Sequence, residues 1–357
     1  MPESLTLASS PDILRERFFA LETARDVAAL LEVRYDRMVW HLYGSDPERR
    51  YVTFEIPKRS GGVREIRAPG GGLKILQRKL NQVLQAVYEP RNSVHGFVPG
   101  RSVRTNAGAH ARRRYVLNVD LEDFFPSVNF GRVRGLLMGR PYGRSAEVAT
   151  VLAQIACHDN QLPQGAPTSP VLANMVCWGM DSALQRLAGR CRSTYTRYAD
   201  DLTFSTNRKD FPRELAAADG DDVRLGPELL SVLERSGFRV NDRKVRLQTR
   251  EFRQEVTGLT VNVFPNVQRR YVRQIRAMLH AWRKFGLEAA ETEYRRKYAH
   301  GHRGPGRGAP SYRAVVEGKL AYLVMVRGDA DPVYHKYRGQ FDALTAAPPP
   351  ATVTDHE

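Results

Sequence analysis

The sequence predicts an α+β fold built on an antiparallel sheet, and three observations carry the prediction. Tyr115 to Leu121 reads Tyr-Val-Leu-Asn-Val-Asp-Leu, an alternating, β-branched run that delivers a carboxylate to a sheet edge. Tyr195 to Ser205 alternates similarly around Ala199-Asp200-Asp201, the pattern of a hairpin turning at two aspartates. Helical spacing lies between these strands, from Ser169 to Leu187, and after them, from Pro227 to Ser236.

The other elements follow in order. Ile13 to Leu42 sets Leu14, Phe18, Leu21, Val27, Leu30 and Leu31 at helical intervals, which predicts an N-terminal helical pair. Two short β-type runs, from Tyr51 to Pro57 and from Val63 to Pro69, flank Ser60-Gly61-Gly62 and predict a hairpin with a basic tip of Lys58, Arg59, Arg64 and Arg67. After Gly70-Gly71-Gly72 comes an amphipathic helix whose stripe of Leu73, Leu76, Leu80, Leu84 and Val87 is core. Val267 to Tyr298 reads as one basic helix, broken by the glycine-rich run from Gly301 to Gly308. A second helix is expected from Ser311 to about Arg327, and the Pro- and Ala-rich end after Leu344 reads as a frayed tail.

At 357 residues and 42% hydrophobic content the chain is long enough for two or three lobes with buried cores, which excludes a disordered protein. Lys and Arg total 55 against 39 acidic residues, a formal charge of +16 that favours a polyanionic partner, nucleic acid first. Arg239 to Lys319 holds 19 basic and 7 acidic residues, so most of the excess sits there. Cys157, Cys177 and Cys191 lie far apart without a Cys-x-x-Cys pair, which points away from zinc and disulfides. No apolar leader or membrane-length run is present, so a cytoplasmic protein with no membrane partner is expected.

Asp120, Asp200 and Asp201, on two expected strand ends, are the side chains that two-metal nucleotidyl transfer requires. Oxygen ligands suit Mg²⁺, and two ions roughly 3.5–4 Å apart activate an attacking hydroxyl and stabilise a leaving pyrophosphate. A bare Ala-Asp-Asp is most often an ordinary turn. The flanking strand formers Arg197-Tyr198 and Leu202-Thr203-Phe204 give this pair a rigid mount in a basic protein.

Tyr198-Ala199-Asp200-Asp201 resembles the YxDD box of reverse transcriptases, and Val119 to Phe125 resembles their first metal-binding motif. The resemblance implies a right-hand polymerase. Its expected parts are an N-terminal helical region (1–48), fingers (49–114), a palm with an inserted fingers segment (115–255), a helical thumb (256–342) and a flexible tail (343–357). It further implies that Asp120 and Asp200 ligate two Mg²⁺ ions, for which Mn²⁺ is able to substitute, that Asp201 assists, and that the Leu121 carbonyl contributes. Phe125 falls at the family's steric gate against a ribose 2′-OH, and its bland alternative is a core phenylalanine. Leu162 to Pro170 resembles the nucleotide-pocket motif, which puts Gln164 and Gly165 beside the incoming nucleotide. Lys58 and Arg64 fall on the fingers element that holds the triphosphate, and Asn241 and Lys244 match a motif whose lysine lies near the phosphates.

Two further segments, Asn106-Ala107-Gly108-Ala109-His110 and Val256-Thr257-Gly258, resemble markers of the retron reverse transcriptases, and the block His95-Gly96-Phe97-Val98-Pro99-Gly100-Arg101-Ser102 supports the same resemblance. That resemblance implies a cognate structured non-coding RNA as primer and template, dNTPs as substrates, and synthesis begun from a guanosine 2′-OH to give a branched RNA–DNA. It also implies service in bacterial anti-phage defence with a separate effector protein, and removal of template RNA by host RNase H. Asn106, His110, Val256, Thr257 and Gly258, with the thumb's Arg269, Arg270, Arg273, Arg276 and Arg283, are the expected RNA contacts. A solvated helix face is the competing reading of those arginines. Group II intron-like, diversity-generating and abortive-infection enzymes remain as alternatives, as does a non-catalytic RNA-binding protein with this fold.

Overall fold

The computed structural model describes residues 4–44, 46, 49–57, 61–219, 222–298 and 310–346. In chain order the elements are α1 (Pro11–Phe19), α2 (Ala24–Leu30), α3 (Tyr35–Val39), β1 (Tyr51–Pro57), β2 (Val63–Pro69), α4 (Gly71–Val87), α5 (Val103–Gly108), β3 (Tyr115–Asp120), α6 (Phe130–Met138), α7 (Ala146–Ala156), α8 (Ser169–Val176), α9 (Trp178–Arg190), β4 (Thr194–Tyr198), β5 (Asp201–Thr206), β6 (Ala216–Asp219), β7 (Asp222–Leu225), α10 (Pro227–Arg235), β8 (Arg246–Thr249), β9 (Glu255–Val256), β10 (Leu259–Thr260), α11 (Arg269–Phe285), α12 (Leu287–Tyr298), α13 (Tyr312–Arg327) and α14 (Pro332–Ala346). They group into two compact units, one formed by Met1–Ser102 with Arg113–Thr249 and the other by Val103–Arg112 with Arg250–Glu357.

In the first unit four antiparallel strands lie in the order β4-β5-β3-β8. Leu117, Val119, Tyr195, Leu202 and Phe204 are buried from this sheet into one core with α4, α7, α8 and α9. The α4 stripe is as expected, with Leu73, Leu76, Leu80, Val83, Leu84 and Val87 each 5% exposed or less. At about 1.5–3 kcal/mol for each fully buried aliphatic side chain, that stripe is a principal anchor of the unit. β1 and β2 pair as the predicted hairpin, from Tyr51 opposite Pro69 to Pro57 opposite Val63.

The N-terminal segment forms three helices and a π-helical turn, Trp40–Gly44, rather than a pair. A Thr23–Asp26 capping box supplies a fresh start signal, so a new helix begins at Ala24. Leu14, Phe18 and Leu21 are buried and α1 packs on α4, which makes this region a buttress for that helix.

In the second unit α5 packs on the β9–β10 hairpin, and α11 to α14 pack on one another. The segment expected as one helix from Val267 to Tyr298 is two, because Gly286 takes φ 80 and caps α11 through its N–H to the Trp282 carbonyl. α14 was not anticipated. Asp331 Oδ1 accepts from the Tyr334 N–H at 2.9 Å and Pro332 opens the helix, a cap signal in a stretch with weak periodicity. The tail expected after Leu344 begins two residues later at the earliest, and 347–357 lie outside the described residues.

The largest fully buried side chain is Arg197, on β4. Its Nε and one terminal nitrogen donate to the two Asp181 oxygens at 2.8 and 2.7 Å. The other terminal nitrogen donates to Asn174 Oδ1 at 3.0 Å and to the Ala199 carbonyl at 3.1 Å. Tyr195 OH adds a 2.7 Å bond to Asp181. Replacing Arg197 with Met would leave a buried carboxylate holding only that hydroxyl. The expected loss is about 3–5 kcal/mol of unfolding free energy, read from the denaturant midpoint; a loss under about 1 kcal/mol, the scale of a surface pair, would show the pair to be dispensable.

Beside this network burial, and then the Arg101 charge, lower the His95 pKa from 6.5 to about 4. A folded-state value below the unfolded one means that the unfolded chain takes the proton first. The stabilisation from a neutral His95 is therefore full above the unfolded pKa of about 6.5 and declines as pH falls toward the folded value. His95→Asn is expected to flatten this part of the stability curve, and urea midpoints with an unchanged pH slope would refute the assignment.

Candidate active site

β3 pairs with β5 so that Asp120 stands opposite Asp201, while Asp200 occupies the turn before β5. Sequence neighbours lock this register. The Leu121 N–H donates to the Asp200 carbonyl at 3.1 Å, the Asn241 N–H to the Asp120 carbonyl at 2.9 Å, and the Glu122 N–H to the Arg239 carbonyl at 2.9 Å. The strand end is thus clamped between the aspartate turn and the 239–241 segment. Ala199 takes φ 56, and the Arg197 bond to its carbonyl holds that conformation. Gly96 lies flat against the turn. A Cβ there would fall 2.5 Å from the Ala199 nitrogen and 3.1 Å from the Tyr198 carbonyl carbon, so only glycine fits.

The carboxylates are electrostatically crowded. Burial and the charge of Asp120 raise the pKa of Asp200, against the opposing charges of Lys244 and Arg64. Asp201 keeps an open edge to water, yet the protein massed around it and the charges of Asp200 and Asp120 push its pKa up to about 7. Lys244 Nζ sits 2.9 Å from both oxygens of Asp120, an ammonium in the place of a cation. Asn241 Nδ2 is 3.5 Å from the same carboxylate, at the limit of a hydrogen bond.

A cleft of about 1050 Å³ opens over Asp120 and Asp200. Arg64, Phe125, Gln164 and Lys244 are among the residues that line it, so the structure brings these four expected nucleotide contacts to the aspartates, and Phe97 lines it beside them. Lys58 lies outside the described residues. Gly165 is exposed at φ 115, and a Cβ there would meet Ile66 Cγ2 at 2.8 Å and the Arg67 carbonyl oxygen at 3.2 Å. The Gln164 carbonyl accepts from the Arg67 N–H at 2.7 Å, which fastens the pocket loop to β2. The Arg67 side chain is engaged by Glu65 and Asp159, both at 2.6 Å, and is no open phosphate ligand.

Phe97 was not singled out from the sequence, although it belongs to the His95-Gly96-Phe97 block. Its cleft position depends on the Gly96 contact, which no spacing rule reveals. Arg197 and Asp181 were also missed as partners. A buried ion pair across 16 residues leaves no periodic trace.

The second unit unites the two marker segments. Thr257 Oγ1 lies 3.4 Å from the Val103 carbonyl, while the Arg112 N–H and Nε each donate at 3.0 Å, to the carbonyls of Val261 and Val263. Asn106, His110 and Val256, expected as RNA contacts, are fully buried and offer a nucleic acid no surface. Neither amide atom of Asn106 finds a hydrogen-bond partner, at a cost of about 1–3 kcal/mol for such a group. Thr257 at φ 47 and the exposed Gly258 form the reachable turn. Arg269, Arg270, Arg273, Arg276 and Arg283 are all exposed on α11, and Ile275, Leu279 and Trp282 bury its other stripe.

Hard carboxylate oxygens facing one another, with a lysine ammonium already on one of them, fit a divalent cation chemically. Among the described residues no three His, Cys, Asp or Glu side chains close into a metal cage. Nor is any described helix long and apolar enough to cross a membrane.

Residues 56–263 match the reverse transcriptase (RNA-dependent DNA polymerase) family. The chain is 39% identical over 328 residues to the retron Mx65 reverse transcriptase of Myxococcus xanthus, covering 85% of this chain and 68% of that one. It is 38% identical to the retron Mx162 enzyme of the same organism, over 76% of this chain and 61% of that one. Against the retron Ec86 enzyme of Escherichia coli the identity is 32%, over 73% and 78%. Reverse transcriptases copy RNA templates with dNTPs and use a divalent metal. The chain belongs to this family, among the retron reverse transcriptases, and is an RNA-directed DNA polymerase.

Proposed function

We propose that the enzyme copies a cognate structured non-coding RNA, begins from the 2′-OH of a guanosine within it, and yields a branched RNA–DNA with Mg²⁺ as its metal. The observation that carries the site assignment is the register of Asp120 opposite Asp201 beneath a cleft walled by Arg64, Phe125 and Gln164. Asp120 and Asp200 hold the metal, with Asp201 assisting and the Leu121 carbonyl adding an oxygen. When bound, the divalent ions lower the pKa of the priming hydroxyl and neutralise the departing pyrophosphate.

The chain's own groups do the rest. Lys244, which holds Asp120 in the cleft, would turn its ammonium to a triphosphate oxygen were a divalent cation to occupy that carboxylate. Arg64 and Lys58 grip the same triphosphate. Gln164 and Gly165 line the base and sugar, and the Phe125 ring fills the space that a ribose 2′-OH would need. The Thr257-Gly258 turn and the arginine face of α11 bind the RNA backbone, where positive charge positions a strand without reading its sequence. By the likeness to retron enzymes the product serves in anti-phage defence beside a separate effector protein, with host RNase H trimming the template.

Changing both Asp200 and Asp201 to Ala is expected to lower DNA synthesis on the RNA by about 10³-fold or more, some 4 kcal/mol of lost transition-state stabilisation. Unchanged product would reject the site. Nucleic acid purified with the enzyme from expressing cells is expected to contain a hybrid that a debranching enzyme cleaves. A wholly linear product would instead favour an intron-like or diversity-generating mode of priming.

A further inference from the structure

Phe97 has no role in the chemistry above, yet three features set it apart. It is a large apolar side chain left 40% exposed. Its backbone sits at φ 60, in the left-handed region that a phenylalanine rarely adopts. Its ring lines the cleft, 6.1 Å from the ring of Phe125 and 6.5 Å from that of Tyr198.

The unusual backbone has a visible cause. The His95 N–H is bonded to the Arg197 carbonyl at 2.8 Å, and Asn174 Nδ2 holds the Gly96 carbonyl at 2.9 Å. Gly96 itself is pressed on the Tyr198–Ala199 peptide. A segment pinned this tightly must turn sharply to leave, and the turn at Phe97 delivers its ring to the cleft.

Phe125 needs such a neighbour. On its inner side it meets Phe124 edge-on at 5.3 Å, and Phe124 is buried and stacked on Phe238 at 5.7 Å. That side is rigid. Among the described residues, Phe97 is the other ring packed against Phe125, and it stands on the exposed side. A ring excludes a hydroxyl only while it cannot swing away, and one half-buried phenylalanine with an open flank is free to do so.

We propose that Phe97 is a positioning residue for sugar selection. It holds the Phe125 ring against the ribose 2′ position and ties that wall to the Tyr198–Asp201 turn. The inference rests on Phe125 as the wall, so both residues are tested together.

The experiment compares kcat/KM for a deoxynucleoside triphosphate with that for its ribonucleoside counterpart on a primed homopolymer template. The enzymes are wild type, Phe97→Gly, Phe97→Tyr and Phe125→Ala. Glycine removes the ring and is at ease at positive φ, so the fold is not strained, whereas tyrosine keeps the ring. Phe97→Gly is expected to lower the deoxy-to-ribo ratio by about 2- to 12-fold, the worth of one aromatic pair, and Phe97→Tyr to retain it. Both efficiencies falling together in Phe97→Gly, with the ratio unmoved, would overturn the proposal as a merely structural role. If Phe125→Ala collapses the ratio and Phe97→Gly does not, only the role of Phe97 fails. If Phe125→Ala leaves it intact, the wall itself is misassigned and the inference falls with it.

Discussion

The Arg197 guanidinium and the Asp181 carboxylate, both without solvent exposure, hold the aspartate turn in place. Burying two charges costs several kcal/mol for each ion, and the cost is met only where every polar atom finds a partner. Here Asp181 accepts from two arginine nitrogens and the Tyr195 hydroxyl, and the remaining arginine nitrogen reaches Asn174 and the Ala199 carbonyl. Asn174 passes the constraint on to the Gly96 carbonyl. One guanidinium therefore fixes α8, α9, β4, the turn and the 93–96 segment relative to one another. Lysine, with a single nitrogen on a flexible stem, has no fork with which to do this.

That rigidity has an electrostatic purpose. Asp120, Asp200 and Asp201 would relax apart in a pliant loop, because Asp120 raises the cost of ionising Asp200 and Asp201, and Asp200 that of Asp201. Held in strand register, they keep their repulsion as a demand for positive charge. Lys244 meets part of it at Asp120. An exposed ammonium on a flexible stem is readily displaced, whereas a buried arginine in that position would occupy the site permanently. The two cationic partners are thus divided by burial, with Arg197 structural beneath the turn and Lys244 exchangeable above it.

The strands and the motif residues were legible because their signals are local. Alternation marks β3, β4 and β5, Gly61-Gly62 marks the first hairpin, and Asp120, Asp200, Phe125, Gln164 and Lys244 come to a common cleft as the motifs imply. What was illegible depends on distant partners. Arg197 lies among strand residues like any solvated arginine, and only the fold reveals that Asp181 waits beneath it. Phe97 reads as part of a motif block until Gly96 is seen against Ala199. Asn106 and His110 read as polar contacts, yet packing of α5 on β9 and β10 encloses them.

The burial of those markers changes what they explain. A buried asparagine and histidine offer a partner no surface of their own and act only through the packing that they support. Asn106 and His110 stand on or beside the short α5, and the Thr257-Gly258 turn is joined to the start of that helix at the Val103 carbonyl. Arg112, just past His110, holds the carbonyls of Val261 and Val263 on the far side of the hairpin. The ten residues Val103–Arg112, which belong to the second unit, thereby brace its two-residue turn. The chemistry residues all belong to the first unit and the braced turn to the second, along with the arginine face of α11. A change in the packing beneath the turn accordingly acts on the second unit, which holds none of the three aspartates.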